Sequence, residues 1–172
     1  MADRLCVCGV AGAGKSALAR VLARDYGYAV VKFADPLKDM LRVLGLGVAE
    51  LEGDKKAAPS ELLCGKSPRW AMQSLGTEWG RQMLGESLWV DAWRRRVEAM
   101  PVGAKIVVDD CRFPNELEAA RSLGFVPVRI WREGAGGAGE HLSECALDGV
   151  WMPEFANHGT PENLARVILG ET

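Results

Sequence analysis

One octapeptide constrains the fold of this chain more than any other feature. Gly9-Val10-Ala11-Gly12-Ala13-Gly14-Lys15-Ser16 satisfies the pattern GxxxxGK[ST] in full. It follows a short apolar run, Arg4 to Cys8, and precedes helical periodicity from Lys15 to about Arg24, with Leu18, Val21 and Leu22 on one face. Strand, glycine-rich turn and helix, in that order, are the context in which the pattern has a physical meaning. The glycines let consecutive backbone N–H groups turn inward around a polyphosphate, and the helix N-terminus adds partial positive charge at the same place. In this reading Ala11, Gly12, Ala13, Gly14, Lys15, Ser16 and Ala17 form a nucleotide cradle. Lys15 then reaches the β and γ phosphates of a nucleoside triphosphate, and the Ser16 hydroxyl ligates Mg²⁺. The plainer alternative, a glycine turn with an incidental lysine, fits the flanking strand and helix poorly.

The rest of the chain repeats the same alternation. Tyr28 to Phe33 and Lys105 to Asp109 are apolar runs of strand character, as is Phe125 to Trp131. Helical stretches are predicted from Pro36 to Leu44, Pro68 to about Leu84, Leu88 to Ala99 and Pro114 to Leu123. A last helix runs to Leu169, with Thr160 as its cap and Pro161 at its first position. Gly45 to Lys66 is polar and poorly periodic, and is read as an irregular, mobile excursion. Pro153 disturbs the expected last strand. Strands that are apolar on both faces and alternate with helices imply a parallel sheet covered on both sides.

At 172 residues, 48% hydrophobic and 26% charged, the chain fits one α/β domain that needs no disulfide or metal staples. A net charge of -2 provides no basic field for nucleic acid or an anionic membrane. No apolar stretch approaches the ~18 residues of a membrane span, and no secretory signal follows Met1. A soluble, cytoplasmic protein is expected. Of the five cysteines, Cys6 and Cys8 alternate on one strand, while Cys64, Cys111 and Cys145 are scattered. With no CxxC and no paired histidines, zinc is not expected and buried thiols are.

A phosphate loop does not specify a reaction. No NKxD-type guanine reader occurs, and the length is short for a motor ATPase, so a small-molecule kinase fits best. Three further segments are more specific. They are Phe33-Ala34-Asp35-Pro36-Leu37-Lys38; Ser67-Pro68-Arg69 through Leu75-Gly76-Thr77-Glu78-Trp79-Gly80-Arg81 to Leu88-Trp89-Val90; and Val108-Asp109-Asp110-Cys111-Arg112-Phe113-Pro114-Asn115-Glu116. Together with the glycine loop they resemble the deoxynucleoside monophosphate kinases of tailed bacteriophages and their prophage relatives. His141-Leu142-Ser143-Glu144 and Asn157-His158-Gly159-Thr160 are similar to that family's C-terminal pattern, with His158 standing where an aspartate is usual.

The resemblance implies a three-layer fold with a mainly parallel five-stranded sheet in the order 2-3-1-4-5. It implies one domain over residues 1–172, with an acceptor-binding helical insertion at about 45–100 and a lid-like loop at about 132–144. The implied reaction moves the γ-phosphoryl group of ATP, with Mg²⁺, to a deoxynucleoside 5′-monophosphate. The implied assembly is a homodimer, in the host cytoplasm if phage-encoded. Lys38 and Arg69 match positions that contact the monophosphate, the alternative being exposed cations. Gly76 and Thr77 match a close backbone approach to the nucleotide, or at Gly76 a helix break. Trp89 matches a base-stacking indole, with core packing the alternative, and Glu116 an acceptor-site carboxylate, or a solvated first-turn carboxylate. Asp35 stands between a role near Mg²⁺ and capping of the helix at Pro36. A kinase of another small phosphate acceptor, similar to dephospho-coenzyme A kinases, and a non-catalytic nucleotide-dependent module are the competing readings.

The residues support part of this independently. Asp110 and Arg112 follow a buried strand and so belong at its carboxyl edge, where open α/β sheets bind ligands. An arginine fork suits a dianionic phosphate, while Asp110 could hold a Mg²⁺-bound water or orient the acceptor. A local ion pair between the two is the plainer alternative. Period two along Val126, Val128 and Ile130 brings Arg132 to the carboxyl end of the next strand, ahead of a glycine-rich stretch. Arg132 is thus a candidate catalytic or lid arginine, the alternative being a solvated loop residue.

Overall fold

The computed structural model describes residues 2–136, 147 and 149–171. In chain order its main elements are β1 (Arg4–Cys8), α1 (Lys15–Tyr26), β2 (Ala29–Val30), α2 (Asp35–Val43), α3 (Val48–Leu51), α4 (Pro68–Gln73), a π-helix (Ser74–Leu84), α5 (Leu88–Glu98), β3 (Ile106–Val108), α6 (Pro114–Ser122), β4 (Val126–Trp131), β5 (Glu154–Ala156) and α7 (Pro161–Leu169). The five strands form one sheet in the order β2-β3-β1-β4-β5, and every pairing is parallel. The architecture is α/β, with the expected strand order. The chain divides into two compact units, Met1–Lys32 with Arg96–Thr172, and Phe33–Arg95.

The first unit contains the sheet. Side chains alternate along β1, so Leu5 and Val7 share one face and Cys6 and Cys8 the other. Leu5 and Val7 pack in a core with Leu18 and Leu22 of α1, Val128 and Ile130 of β4, and Leu164 and Ala165 of α7. α1 starts after Gly14 and stops at Gly27, both with positive φ, and the Gly27 N–H closes the last turn on the Leu22 carbonyl. α7 is capped as the sequence indicates, the Thr160 side chain accepting a hydrogen bond from the Asn163 N–H at 3.3 Å.

The second unit is helical and has its own core of Leu37, Leu41, Leu46, Leu51, Ala71 and Trp89. Three expectations from the sequence are corrected by the structure. The strand expected over Tyr28–Phe33 narrows to Ala29–Val30: the Val31 N–H makes one more ladder bond to Val107, and then Phe33 turns to pack on Trp93 at 4.2 Å. The excursion at Gly45–Lys66 is not irregular throughout, because burial of Leu46 and Leu51 organises it into α3 and two 3₁₀ turns, Asp54–Ala57 and Glu61–Leu63. The single α-helix expected over Pro68–Leu84 changes to π geometry after Gln73. There the Trp89 indole donates its Nε1–H to the Gly76 carbonyl at 2.8 Å, and Gly80 lies directly against the ring. A side chain inserted into the carbonyl ladder is a recognised cause of departure from α geometry.

These two glycines differ in a testable way. A Cβ at Gly80 would stand 2.4 Å from Trp89 Nε1 and 2.6 Å from Cε2, atoms of a rigid and buried ring. At Gly76 it would meet only Leu37 Cδ2, at 3.6 Å. Gly80→Ala is therefore expected to destabilise by about 1–3 kcal/mol. Gly76→Ala is expected to be neutral or slightly stabilising, since it restricts the unfolded chain. Urea unfolding of the two variants checks both signs.

Candidate functional site

The loop between β1 and α1 is shaped by close backbone approaches. Gly9 has φ 138°, and a Cβ there would lie 2.2 Å from the Ile130 carbonyl oxygen of β4. Gly14 has φ 101°, and its missing side chain leaves room for Asn157, whose Nδ2 would be 2.4 Å from a Cβ. Asn157 is buried just beyond β5. Its Nδ2 donates to the Ala13 carbonyl at 2.8 Å and its backbone N–H to the Trp131 carbonyl at 2.8 Å. On the other flank the Gly136 N–H donates to the Ala11 carbonyl at 3.2 Å. Lys15 Nζ donates back to the carbonyls of Gly9 (2.5 Å) and Val10 (2.8 Å). Ser16 is exposed at the start of α1.

A cavity of about 120 Å³ opens beside this loop, walled by Cys8, Gly9, Val10, Lys15, Cys111, Arg112, Arg129, Ile130, Trp131 and Leu147. It brings together Lys15 and Arg112, two of the expected catalytic residues. It also adds Arg129, which no sequence pattern singles out. Parallel register places Arg129 opposite Cys8, and its guanidinium is braced by Glu154 Oε1 (2.8 Å) and by the Leu147 and Val150 carbonyls (2.8 and 3.2 Å). Lys15 and Arg112, with Arg129 held in an ion pair by Glu154, put positive charge around a small concavity in a chain of net negative charge.

Two adjacent carboxylates follow β3. Asp110 is half-buried. Asp109, which sequence reasoning does not single out, is 2% exposed and paired with Lys32. The lysine lies 3.2 Å from both carboxylate oxygens and donates to Oδ2, so Oδ1 is buried without a hydrogen bond among the described residues. A buried acceptor in that condition suits an ordered water or a hard cation. A serine hydroxyl and a carboxylate are the oxygen donors that Mg²⁺ prefers, so Ser16 and Asp109 fit that ion by chemistry.

Glu116 is only 3% exposed. Its Oε2 accepts the backbone N–H groups of Arg112 (2.8 Å) and Phe113 (3.2 Å), closing the N-terminus of α6. Glu116 thus fixes the backbone that carries Arg112. Arg132 is exposed directly after β4, and its carbonyl accepts the Ala135 N–H at 3.1 Å. His141, Glu144 and the second half of the glycine-rich stretch, 137–140, lie outside the described residues.

The remaining candidates belong to the helical unit. Lys38 is 5% exposed and ion-paired with Glu52. Trp89 is a core residue at 4% exposure. Arg69, in the first turn of α4, and Thr77, on the π-helix, are exposed, while Gly76 is half-buried. Asp35 lies in the first turn of α2, with Ala34 at the cap position.

The thiols are less scattered than the sequence suggests, which is a further correction. Cys6, Cys8 and Cys111 are buried, with sulfurs all within 4.8 Å of one another. Hydrogen bonds from Cys111 and Cys6, with the nearby charges of Arg129 and Lys15, pull the Cys8 thiol down to about 4. Cys111 is pushed up, because its proton is held by Cys6 and Cys8 and because it is buried. Cys6 and Cys8 share a strand face by simple alternation, so this pair is visible in the sequence. The third member needs the β1–β3 adjacency.

The chain is 28% identical over 152 residues to a protein of Acanthamoeba polyphaga mimivirus named "Putative deoxynucleotide monophosphate kinase", an alignment covering 81% of this chain and 79% of that one. No family model matches the chain. Among the described residues, no helix is long and apolar enough to cross a membrane.

Asn157 gives this site a stability signature. Asn157→Ala removes the donor to the buried Ala13 carbonyl and is expected to cost about 1–3 kcal/mol. Asn157→Asp keeps the shape but sets a carboxylate oxygen against a carbonyl oxygen, and is expected to cost more than Asn157→Ala at neutral pH. Denaturant midpoints for the two variants give the order.

Proposed function

We propose that this chain is an ATP-dependent kinase that phosphorylates deoxynucleoside 5′-monophosphates to diphosphates. The observation that carries the reading is the cavity at the glycine loop, where Lys15, Arg112 and Arg129 converge on a space lined by loop backbone. The name of the mimivirus relative supports a kinase-type activity, and the three segments similar to phage kinases support the acceptor class by resemblance.

In this mechanism the loop N–H groups from Ala11 to Ala17 cradle the triphosphate, and Lys15 exchanges its carbonyl partners for phosphate oxygens. Ser16 and Asp109 would hold Mg²⁺, which neutralises charge on the β and γ phosphates when bound. Arg112, its backbone fixed by Glu116, grips the acceptor phosphate through a bidentate fork, and Asp110 orients the acceptor. Arg132 approaches the transferring phosphoryl group from the end of β4, adding positive charge as negative charge shifts between oxygens. Arg69 and Thr77 carry further acceptor contacts on the helical unit. Lys38 and Trp89 serve acceptor binding by shaping that unit.

A coupled assay of ADP release, run against deoxynucleoside and ribonucleoside monophosphates and dephospho-coenzyme A, tests the assignment. At least one deoxynucleoside monophosphate is expected to support turnover, and Lys15→Ala is expected to reduce it to a few per cent or less. Response to dephospho-coenzyme A alone, or to no acceptor, would overturn the reading.

Arg112→Ala is expected to raise the acceptor KM, or lower kcat/KM for the acceptor, by about 10- to 100-fold, the equivalent of a charge-assisted contact of roughly 1.5–3 kcal/mol. The ATP KM should stay near the wild-type value. Loss of ATP affinity with normal acceptor kinetics would move Arg112 to the donor side.

A further inference from the structure

The three buried thiols are arranged as a set of ligands. Cys6 and Cys8 project from the face of β1 opposite Leu5 and Val7, and Cys111 joins them from the segment after β3, the neighbouring strand. The Cys6 and Cys8 sulfurs are 4.0 Å apart, and all three lie within 4.8 Å of one another. With Zn–S bonds of about 2.3 Å, sulfurs around one ion are separated by ~3.8 Å in tetrahedral and ~4.0 Å in trigonal geometry. We propose that Cys6, Cys8 and Cys111 form a three-thiolate site for a soft, closed-shell cation of the Zn²⁺ class.

The surroundings suit such an ion. Three thiolates around a divalent cation leave one net negative charge. Lys15 and Arg129, whose charges already act on the Cys8 thiol, offset it from the cavity that Cys8 and Cys111 line. In zinc sites with three protein ligands a water takes the fourth position, and the cavity beside Cys8 and Cys111 is where one would enter. Sulfur donors select soft metals and Mg²⁺ demands oxygen, so the two ions do not compete for one set of residues. Binding forms three metal–sulfur bonds, and the thiol protons pass to the buffer. The ion would tie the residue preceding Gly9 to the residue preceding Arg112, making it a staple for both edges of the proposed phosphate site.

The test uses the full chain, reduced and metal-free, titrated with Cd²⁺ alone and without nucleotide. A sulfur-to-cadmium charge-transfer absorption is expected to saturate at one ion per chain, with a cadmium NMR resonance in the range of sulfur-rich coordination. Cys64→Ala, at an exposed thiol in the helical unit, should leave both signals unchanged. Cys111→Ala should weaken Cd²⁺ binding by more than about 100-fold. Should Cys111→Ala fail to fold, the wild-type resonance still reports the donor set. A resonance typical of oxygen and nitrogen donors, no saturation at one ion, or loss of signal in Cys64→Ala would overturn the proposal and leave the cysteines as packing thiols. No nucleotide enters the experiment, so its failure and that of the kinase reading are distinguishable.

Discussion

A methyl group at residue 9 cannot coexist with the sheet, because it would stand 2.2 Å from the Ile130 carbonyl oxygen. This backbone-to-backbone approach sets the direction in which the chain leaves β1, and with it the placement of the whole loop. It brings the end of β4 against the loop, so that Arg129, Ile130 and Trp131 share a cavity with Gly9 and Lys15. It also puts the residues after β4 and β5 within reach of the loop carbonyls, which Gly136 and Asn157 then take up. A glycine pattern usually explained by the needs of a ligand is here required by the protein itself.

The buried polar side chains follow the same logic. Lys38, Asp109, Glu116 and Asn157 are the buried polar and charged residues described. Burying such groups is unfavourable unless each finds a partner. Two bond to backbone: Asn157 on the glycine loop and Glu116 on the turn that carries Arg112. The other two are ion-paired, Asp109 with Lys32 and Lys38 with Glu52. Asp109, Glu116 and Asn157 are in the sheet-bearing unit, and each lies in or next to a segment with a role in the proposed phosphate site. Polar burial there favours one geometry of the loops and adds little to the hydrophobic core.

What is legible in the sequence depends on the range of the interaction. The strand–loop–helix unit at residues 4–26, the cap at Thr160 and the helix opening at Pro114 are local, and each is encoded by neighbours in the chain. The strand order follows from a resemblance, but the place of Cys111 beside Cys6 and Cys8 shows only once β1 and β3 lie side by side. Arg129 is hidden because its place depends on parallel register with Cys8, which no local pattern encodes. The π-helix is hidden for a similar reason: nothing local to Gly76 and Gly80 shows that Trp89, from the next helix, is laid against them. Trp89 itself shows the limit of residue type as a guide, since an indole suited to stacking on a base is equally suited to a glycine-lined groove.

The self-directed hydrogen bonds of Lys15 carry a consequence of their own. Its ammonium is shared between the Gly9 and Val10 carbonyls, so the loop holds its own cation in place. An arriving phosphate obtains this charge only as two carbonyl contacts are given up, so part of the ion–ion gain is offset. In the proposed kinase, affinity for a resting nucleotide would rest more on the loop N–H groups than on this ammonium. The ammonium would contribute most when charge is redistributed during phosphoryl transfer, which is the distinction between holding a substrate and accelerating its reaction.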